Sequence, residues 1–310
     1  MQKYSVAAVI PTFNRKKLLV ECLQSLCRQT YRPKSIFICD NKSTDGTSEY
    51  LREHGYFDTV INGVEIIYLE MPINGGGAMG FSMGMQRAYE RGIYDAFWMM
   101  DDDGLPKENC LECLVSYLVD YDYISPIVYS RTNPKELVSP LAGSSNPVQI
   151  RKLYGDGDIV KGYCNPFNGG LFSKTLVDKV GFPKKELFIY GDEMNYHLRC
   201  IMHGFQPVAI PCAIHYHPPF DTKGTIKFGV VNFKPNKVAM YCQWRNNIYN
   251  KKIRFSKEPF MVVFKILNYF LAHNFFFIVK HPSSKWLSIY NRAFFAGLFS
   301  IWGGQYKFLK

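Results

Sequence analysis

Acidic side chains are scarce in the last part of the sequence. From Thr222 to Lys310 there is one, Glu258, against 15 Lys and Arg, a net of +14. Residues 1–221 carry 22 Lys and Arg against 25 Asp and Glu, a net of −3, so the overall +11 averages two different surfaces. A tail that cannot neutralise itself with ion pairs excludes a cationic partner and points to an anionic one. Unbroken apolar runs are missing too. Residues 260–279 come nearest, but Lys265, Asn268, His273 and Asn274 interrupt them, and a lysine in mid-helix is costly inside a bilayer. The expected state is a helix lying in an anionic membrane surface, apolar groups in the acyl region and Lys/Arg on headgroups. The alternative is a helical pair packed on the rest of the chain or in a homo-oligomer contact. No nucleic-acid-binding motif accompanies the basic residues, which excludes nucleic acid as the expected partner.

A disulfide framework is also absent. Nine cysteines, an odd number, are scattered through apolar surroundings such as Leu26-Cys27 and Ile38-Cys39. They read as buried thiols in a reducing, cytoplasmic setting. Cys110 and Cys113 form a CxxC with no second pair, which reads as helix packing rather than zinc. There is no internal repeat, no low-complexity tract, and no charged-then-apolar leader before the first strand. What remains, at 310 residues and 47% hydrophobic, is a folded chain with room for a large α/β domain and an appendage.

Apolar strands alternate with helical patterns over the first hundred residues. Ser5–Ile10, Ser35–Cys39, Val64–Leu69 and Ala96–Met100 read as strands, and Leu18, Leu19, Cys22, Leu23 and Leu26 line one helix face. Asp45 or Thr47 is positioned to cap the second helix. Gln206–Ile210 and Ala213–His217 read as two further short strands. This pattern predicts an α/β fold with a mainly parallel, doubly wound sheet, whose ligands bind at the carboxyl ends of the strands. Every polar cluster in the sequence lies at such an end. A composition shift near Pro218–Thr222 divides the chain into 1–221 and a basic, aromatic, mostly helical region, 222–310.

The fourth strand ends in Asp101-Asp102-Asp103. Three adjacent carboxylates repel one another, so a fold gains by holding them together only if a cation sits among them. Oxygen ligands suit Mg²⁺ or Mn²⁺, which commonly bridge to a phosphorylated substrate.

Several motifs occur together in order: Pro11-Thr12-Phe13-Asn14-Arg15, Asp40-Asn41-Lys42-Ser43-Thr44-Asp45-Gly46, Asn74-Gly75-Gly76-Gly77, Trp98-Met99-Met100-Asp101-Asp102-Asp103, Asp192-Glu193 within Tyr190–Arg199, and His217. This succession, over roughly residues 5–220, resembles the inverting GT-A glycosyltransferases of family 2. It is most similar to the galactofuranosyltransferase branch, with rhamnosyltransferases close by. The resemblance implies a GT-A fold and transfer of a sugar from a UDP- or dTDP-activated donor, UDP-galactofuranose first and dTDP-rhamnose as the alternative. The acceptor it implies is a lipid-linked oligosaccharide in cell-surface polysaccharide synthesis, at the inner face of the cytoplasmic membrane.

Under this resemblance Asp40 and Asn41 accept from the nucleoside. Pro11, Thr12 and Arg15 lie on the first strand-to-helix turn, where amides and a guanidinium meet a pyrophosphate. Thr12 is otherwise a helix cap and Arg15 a surface cation. Gly76 and Gly77 permit close approach of the donor. Asp101 and Asp103 contact Mn²⁺ or Mg²⁺ with His217, His215 being the reserve ligand, while Asp101 and Asp102 contact the nucleotide sugar. The base that inversion requires falls on Glu193 or its neighbour Asp192. Phe167, Asn168 and Tyr190 line the sugar pocket. Two competing classes remain open. One is a non-catalytic nucleotide-sugar or glycan-binding protein; the other is a nucleotidyltransferase, which would carry a Gly-rich, Lys/Arg-bearing turn where this chain has Pro11-Thr12-Phe13-Asn14.

Overall fold

A computed structural model describes residues 4–138, 159–219, 236–280 and 282–309. The chain forms two compact units: Met1–Lys185 with Cys200–Phe220, and Glu186–Arg199 with Asp221–Lys310. The segment 186–199, although it lies within 1–221, groups with the tail.

In the first unit the elements run β1 (Val6–Thr12), α1 (Lys16–Cys27), β2 (Ser35–Asp40), α2 (Thr47–Glu53), β3 (Thr59–Ile61), β4 (Val64–Glu70), α3 (Gly76–Glu90), β5 (Ala96–Met100), β6 (Leu105–Pro106), α4 (Cys110–Val115), β7 (Tyr123–Ser130), β8 (Val160–Lys161), β9 (Asn168–Ser173), α5 (Lys174–Val180) and, after the second unit's first segment, β10 (Val208–His217). The sheet order is β3-β4-β2-β1-β5-β9-β7-β10-β6, with β8 on β10. Strands β4, β2, β1 and β5 are parallel neighbours. β9 runs antiparallel between β5 and β7, and β10 lies parallel to β7. β1, β2, β5, β7 and β10 therefore all point the same way. β1, β2 and β5 are buried along their whole length, as strands covered on both faces must be.

This topology places the ends of β1 (Thr12), β2 (Asp40), β5 (Met100) and β10 (His217) on one edge, together with the start of the reversed strand β9 (Asn168). Trp98 ties the reversal down: its indole N–H donates to the carbonyl of Gly169 at 2.9 Å. Helix α3 crosses the sheet closely at two glycines one turn apart. A Cβ on Gly80 would lie 2.7 Å from Pro11, and one on Gly84 would lie 2.4 Å from Cys39 Sγ and 2.5 Å from Val9.

Two local expectations are corrected. Residues 208–217 form one strand, and the irregularity that suggested two is a register shift between Ile210 and Ile214. Neither Asp45 nor Thr47 caps α2: Gly46 sits at its start with φ 77°, and Asp45 instead accepts from the Thr47 hydroxyl at 2.5 Å. All nine cysteines are free thiols, and Cys110 packs inside the core of this unit.

The second unit contains most of α6 (Asp192–Met202), then α7 (Lys237–Arg254), α8 (Pro259–Phe275) continued by a π-helical turn (Phe276–Lys280), and α9 (Ser284–Leu298). Asn236 and Ser283 cap α7 and α9 by accepting from Ala239 and Trp286 N–H, and Pro259 opens α8 where its missing N–H costs nothing. The core is aromatic. Trp244 meets His273, Phe277, Trp286 and Tyr290 edge-on, with centroids 5.3–6.4 Å away. The polar residues of α8 divide by face. His273 is buried and stacked on Tyr290 at 4.7 Å; burial holds its imidazole down at about 4, and it remains neutral. Asn274 exchanges amide hydrogen bonds with Asn291 of α9. The opposite face leaves Phe260, Val263, Phe264, Leu267 and Leu271 exposed.

Gly84→Ala tests the helix–sheet contact. Alanine improves helix propensity by about 1 kcal/mol, but crowding Cys39 and Val9 costs about 1–3 kcal/mol. A net loss is expected in urea unfolding. Gly77→Ala, whose Cβ would meet nothing within 4 Å, should be neutral or stabilising.

Candidate active site

The aspartate triplet does not continue β5; the chain turns there, and each carboxylate meets a different environment. Asp101 stays half-exposed, whereas Asp102 and Asp103 are 3% and 8% exposed. Asp102 accepts from the Thr12 hydroxyl at 2.7 Å and pairs with Arg15 at 3.1 Å. Arg15 also pairs with Asp103 at 2.7 Å. Burial lifts Asp102 to about 7, even though Thr12 and Arg15 pull it back. Burial raises Asp103 as well, but His217 and Arg15 more than offset that and leave it below the usual carboxylate range. Thr12 is thus neither a helix cap nor turned to solvent, and Arg15 spans two acids.

His217 ends β10 with its Nδ1 2.6 Å from the carbonyl of Pro218. That bond turns Nε2 toward the triplet, 3.2 Å from Asp103 Oδ1 and 3.8 Å from Asp101 Oδ2. Burial depresses the imidazole pKa, but the two carboxylates win and bring it to about 10. One ligand atom from each of Asp101, Asp103 and His217 lies within 4.8 Å of the others. Asp103 Oδ1 is buried and accepts no well-aligned hydrogen bond. Two carboxylates and an imidazole oriented by a carbonyl form a donor set that a divalent ion fits, with the proton on His217 displaced. His215 does not join it. It is wholly buried two residues deeper, pressed against the Gly104 and Gly169 backbone positions, and burial lowers it to about 3.

Beside this cluster, Asp40 ends β2, nearly fully buried. One oxygen accepts from the Ser43 N–H at 2.8 Å, the other from the Tyr68 hydroxyl at 2.5 Å. Asn41 is buried with its side-chain oxygen unpartnered. The loop carrying both is tied to the β1 turn: Asn14 N–H donates to Ser43 Oγ, and Asn14 Oδ1 accepts from Thr44 N–H. Asn14 holds φ 54°, a left-handed conformation asparagine tolerates. Gly76 begins α3 at φ 70°, and Pro11 lies under Gly80. Asn168 pairs with Met100 across the sheet, its side-chain oxygen unpartnered, and the Phe167 ring packs tilted against Phe81 with centroids 4.3 Å apart. Tyr68 was not anticipated from sequence, because nothing local marks a strand tyrosine as the partner of an aspartate 28 residues away.

In the second unit, Asp192 and Glu193 open α6, Asp192 buried and Glu193 half-exposed. Glu193 Oε2 accepts from the Gly191 N–H at 3.0 Å. Tyr190 is 44% exposed with φ 61°. The structure therefore groups Thr12, Arg15, Asp40, Asn41, the triplet, Asn168 and His217 on one sheet edge of the first unit, and Tyr190, Asp192 and Glu193 at one helix start of the second.

Residues 7–176 match the sequence model of glycosyl transferase family 2. The chain belongs to this family. It is 30% identical over 222 residues to galactofuranosyltransferase GlfT1 of Mycolicibacterium smegmatis, covering 69% of this chain and 70% of that one. It is 32% identical over 224 residues to the Mycobacterium tuberculosis protein of the same name, with the same coverage. Among solved structures it resembles a mannosyltransferase from Pyrobaculum calidifontis in complex with GDP-Man and Mn²⁺ (TM-score 0.57, 15% identity, all of this chain and 79% of that one). It also resembles S. aureus TarS 1–349 in complex with UDP-GlcNAc (TM-score 0.57, 14% identity, 94% and 81%). The family 2 chain is a glycosyltransferase of GT-A fold, as its motifs imply.

Tyr68→Phe leaves a buried carboxylate oxygen of Asp40 without its donor. A loss of about 1–3 kcal/mol is expected, read by urea unfolding against wild type.

Proposed function

We propose that this glycosyltransferase uses a divalent ion, Mn²⁺ or Mg²⁺, to transfer galactofuranose from its UDP donor, with inversion, to a lipid-linked glycan. The observation that carries the reading is the convergence of Asp101, Asp103 and His217 on the edge that also holds Asp40 and Asn41. Galactofuranose as the sugar is supported by the two GlfT1 relatives. Asp40 and Asn41 accept from the nucleoside. The Tyr68 and Ser43 bonds keep Asp40 fixed as an acceptor. Asp102, held by Thr12 and Arg15, takes the sugar side.

A bound ion would neutralise the diphosphate as it leaves. An imidazole ligand favours Mn²⁺ over Mg²⁺. Inversion needs a carboxylate that takes the proton of the acceptor hydroxyl. Glu193 and Asp192 both start a helix, where the dipole favours an ionised carboxylate. Exposure favours Glu193, because an acceptor must reach it. Asp103→Asn and metal chelation should each reduce transfer about 10²-fold or more, with Mn²⁺ restoring only the chelated wild type. Glu193→Gln should cost about 10²–10⁴-fold and Asp192→Asn much less; equal mild losses would remove the base assignment.

The proposed site of action is an anionic membrane surface. Pro259–Lys280 is long and apolar enough to cross a membrane by length and composition, yet little of it is buried in the protein. Beside its exposed face an apolar groove of about 480 Å³ is lined by Val262, Ile266, Phe270, Phe294 and Leu298, together with Lys252. An exposed apolar helix face in a region with 15 Lys and Arg supports peripheral binding. Phe264→Asp with Leu267→Asp should weaken cosedimentation with anionic vesicles at least about tenfold. Raising salt should weaken wild-type binding in part. Unchanged binding by the double variant would assign this face to a protein contact instead.

A further inference from the structure

The turn that delivers the α6 carboxylates is held in an unfavourable backbone conformation by side chains of one helix. Three of the four residues 188–191 have positive φ: Phe188 at 70°, Tyr190 at 61° and Gly191 at 89°. Two of them are aromatic residues, which pay for the left-handed region, and such a turn persists only where its surroundings over-determine it.

The surroundings are α7. Asn246 Nδ2 lies 2.9 Å from the carbonyl of Leu187, 3.1 Å from that of Ile189 and 2.7 Å from that of Tyr190, so its two N–H groups are shared among three acceptors. Arg245 Nη2 donates to the Leu187 carbonyl at 2.6 Å. Asn250 Nδ2 donates to the Gly191 carbonyl at 2.7 Å, while its Oδ1 accepts from Asn195 Nδ2 at 3.0 Å. Arg245, Asn246 and Asn250 are all buried. The Arg245 guanidinium is fixed by Asn246 Oδ1 and Gln305 Oε1, and among the described residues no carboxylate forms an ion pair with it.

A fold that needed only to pack this turn would use apolar groups, since burying amides and a cation is costly unless each bond is made. Here the donors are spent on main-chain carbonyls in succession. The Tyr190–Gly191 peptide takes the Asn246 bond on its carbonyl and donates its N–H to Glu193 Oε2, and the carbonyl of the next peptide, that of Gly191, takes the Asn250 bond. A side chain at Gly191 would be strained by its φ and crowded by Asn246 and Asn250 at 3.3 Å.

We propose that Asn246 and Asn250 are positioning residues for the base: through the peptides of 187–191 they hold the carboxylate at the start of α6 in one geometry. This rests on the reading of Asp192–Glu193 as the source of the base. The test compares Asn246→Ala, Asn250→Ala and Asn250→Asp, which keeps shape but loses the donor, with Asn247→Ala. Asn247 lies on the same helix and reaches Tyr269 at 3.4 Å instead. In full-length protein, transfer kinetics are measured beside calorimetric binding of UDP with Mn²⁺, whose stoichiometry reports the folded fraction. The expected result is a kcat at least 30-fold lower in the Asn246 and Asn250 variants, with UDP affinity and stoichiometry within twofold of wild type, and an unaffected Asn247→Ala. If Asn246→Ala fails to fold, the two Asn250 variants decide the matter. Should Glu193→Gln and Asp192→Asn both transfer at the wild-type rate, the base reading fails and the proposal falls with it. Should one of those be inactive while the Asn250 variants keep kcat within threefold, or should Asn247→Ala lose as much as they do, the positioning role alone is overturned.

Discussion

The first unit depends on burying negative charge at the end of its central strand. Asp102 and Asp103 are taken out of water side by side, a cost the fold meets from three directions at once. Thr12 comes from β1, Arg15 from the turn after it, and His217 from the end of β10. Each lies far from the triplet in sequence, so the acids cannot be satisfied until β1, β5 and β10 are in register. The same requirement explains why the sheet ends must coincide. When His217 gives up its proton to act as a ligand, Arg15 alone faces the acids, and the charge of a divalent ion fits among them.

Much of this edge was legible in the sequence because each strand announces itself and stops at a polar residue. Ala96–Met100 runs straight into Asp101, and Ile36–Cys39 into Asp40, so parallel topology was enough to bring them together. Alternation along a strand could not separate His215 from His217, since both share a face. Depth decides: His215 is sealed under Gly104 and Gly169, while His217 reaches the rim. The Pro211-Cys212 interruption reads as a break between strands but is a register shift within one. Tyr68 and the α7 side chains carried no local signal at all. Asn246 and Asn250 look like ordinary polar residues of a helix, and only contact with a segment nearly sixty residues earlier gives them a task.

The grouping of Glu186–Arg199 with the tail follows from the same physics. A turn with three positive φ values cannot hold itself, and a boundary drawn from composition near residue 220 takes no account of backbone strain. The tail is therefore more than a basic appendage. It supplies the Asn246 and Asn250 donors that the carbonyls of Leu187, Ile189, Tyr190 and Gly191 accept, and on the proposed reading these fix the start of α6.

The tail is rich in basic residues, but side chain for side chain its exposed apolar groups have more to gain from a membrane than its lysines. A lysine near an anionic surface contributes about 1 kcal/mol, and screening erodes that within a Debye length. Burying a Phe or Leu side chain contributes about 1.5–3 kcal/mol, and Phe260, at 91% exposed, together with Phe264, Leu267 and Leu271, each more than half exposed, have most of that still to gain. The polar residues of α8 do not cancel this. His273 and Asn274 face the core and α9, so two of the four apparent interruptions leave the exposed face unbroken, and only Lys265 and Asn268 share it. On the proposed reading, basic residues therefore set where the protein lands and how salt affects its approach, whereas the apolar face of α8 sets how long it stays.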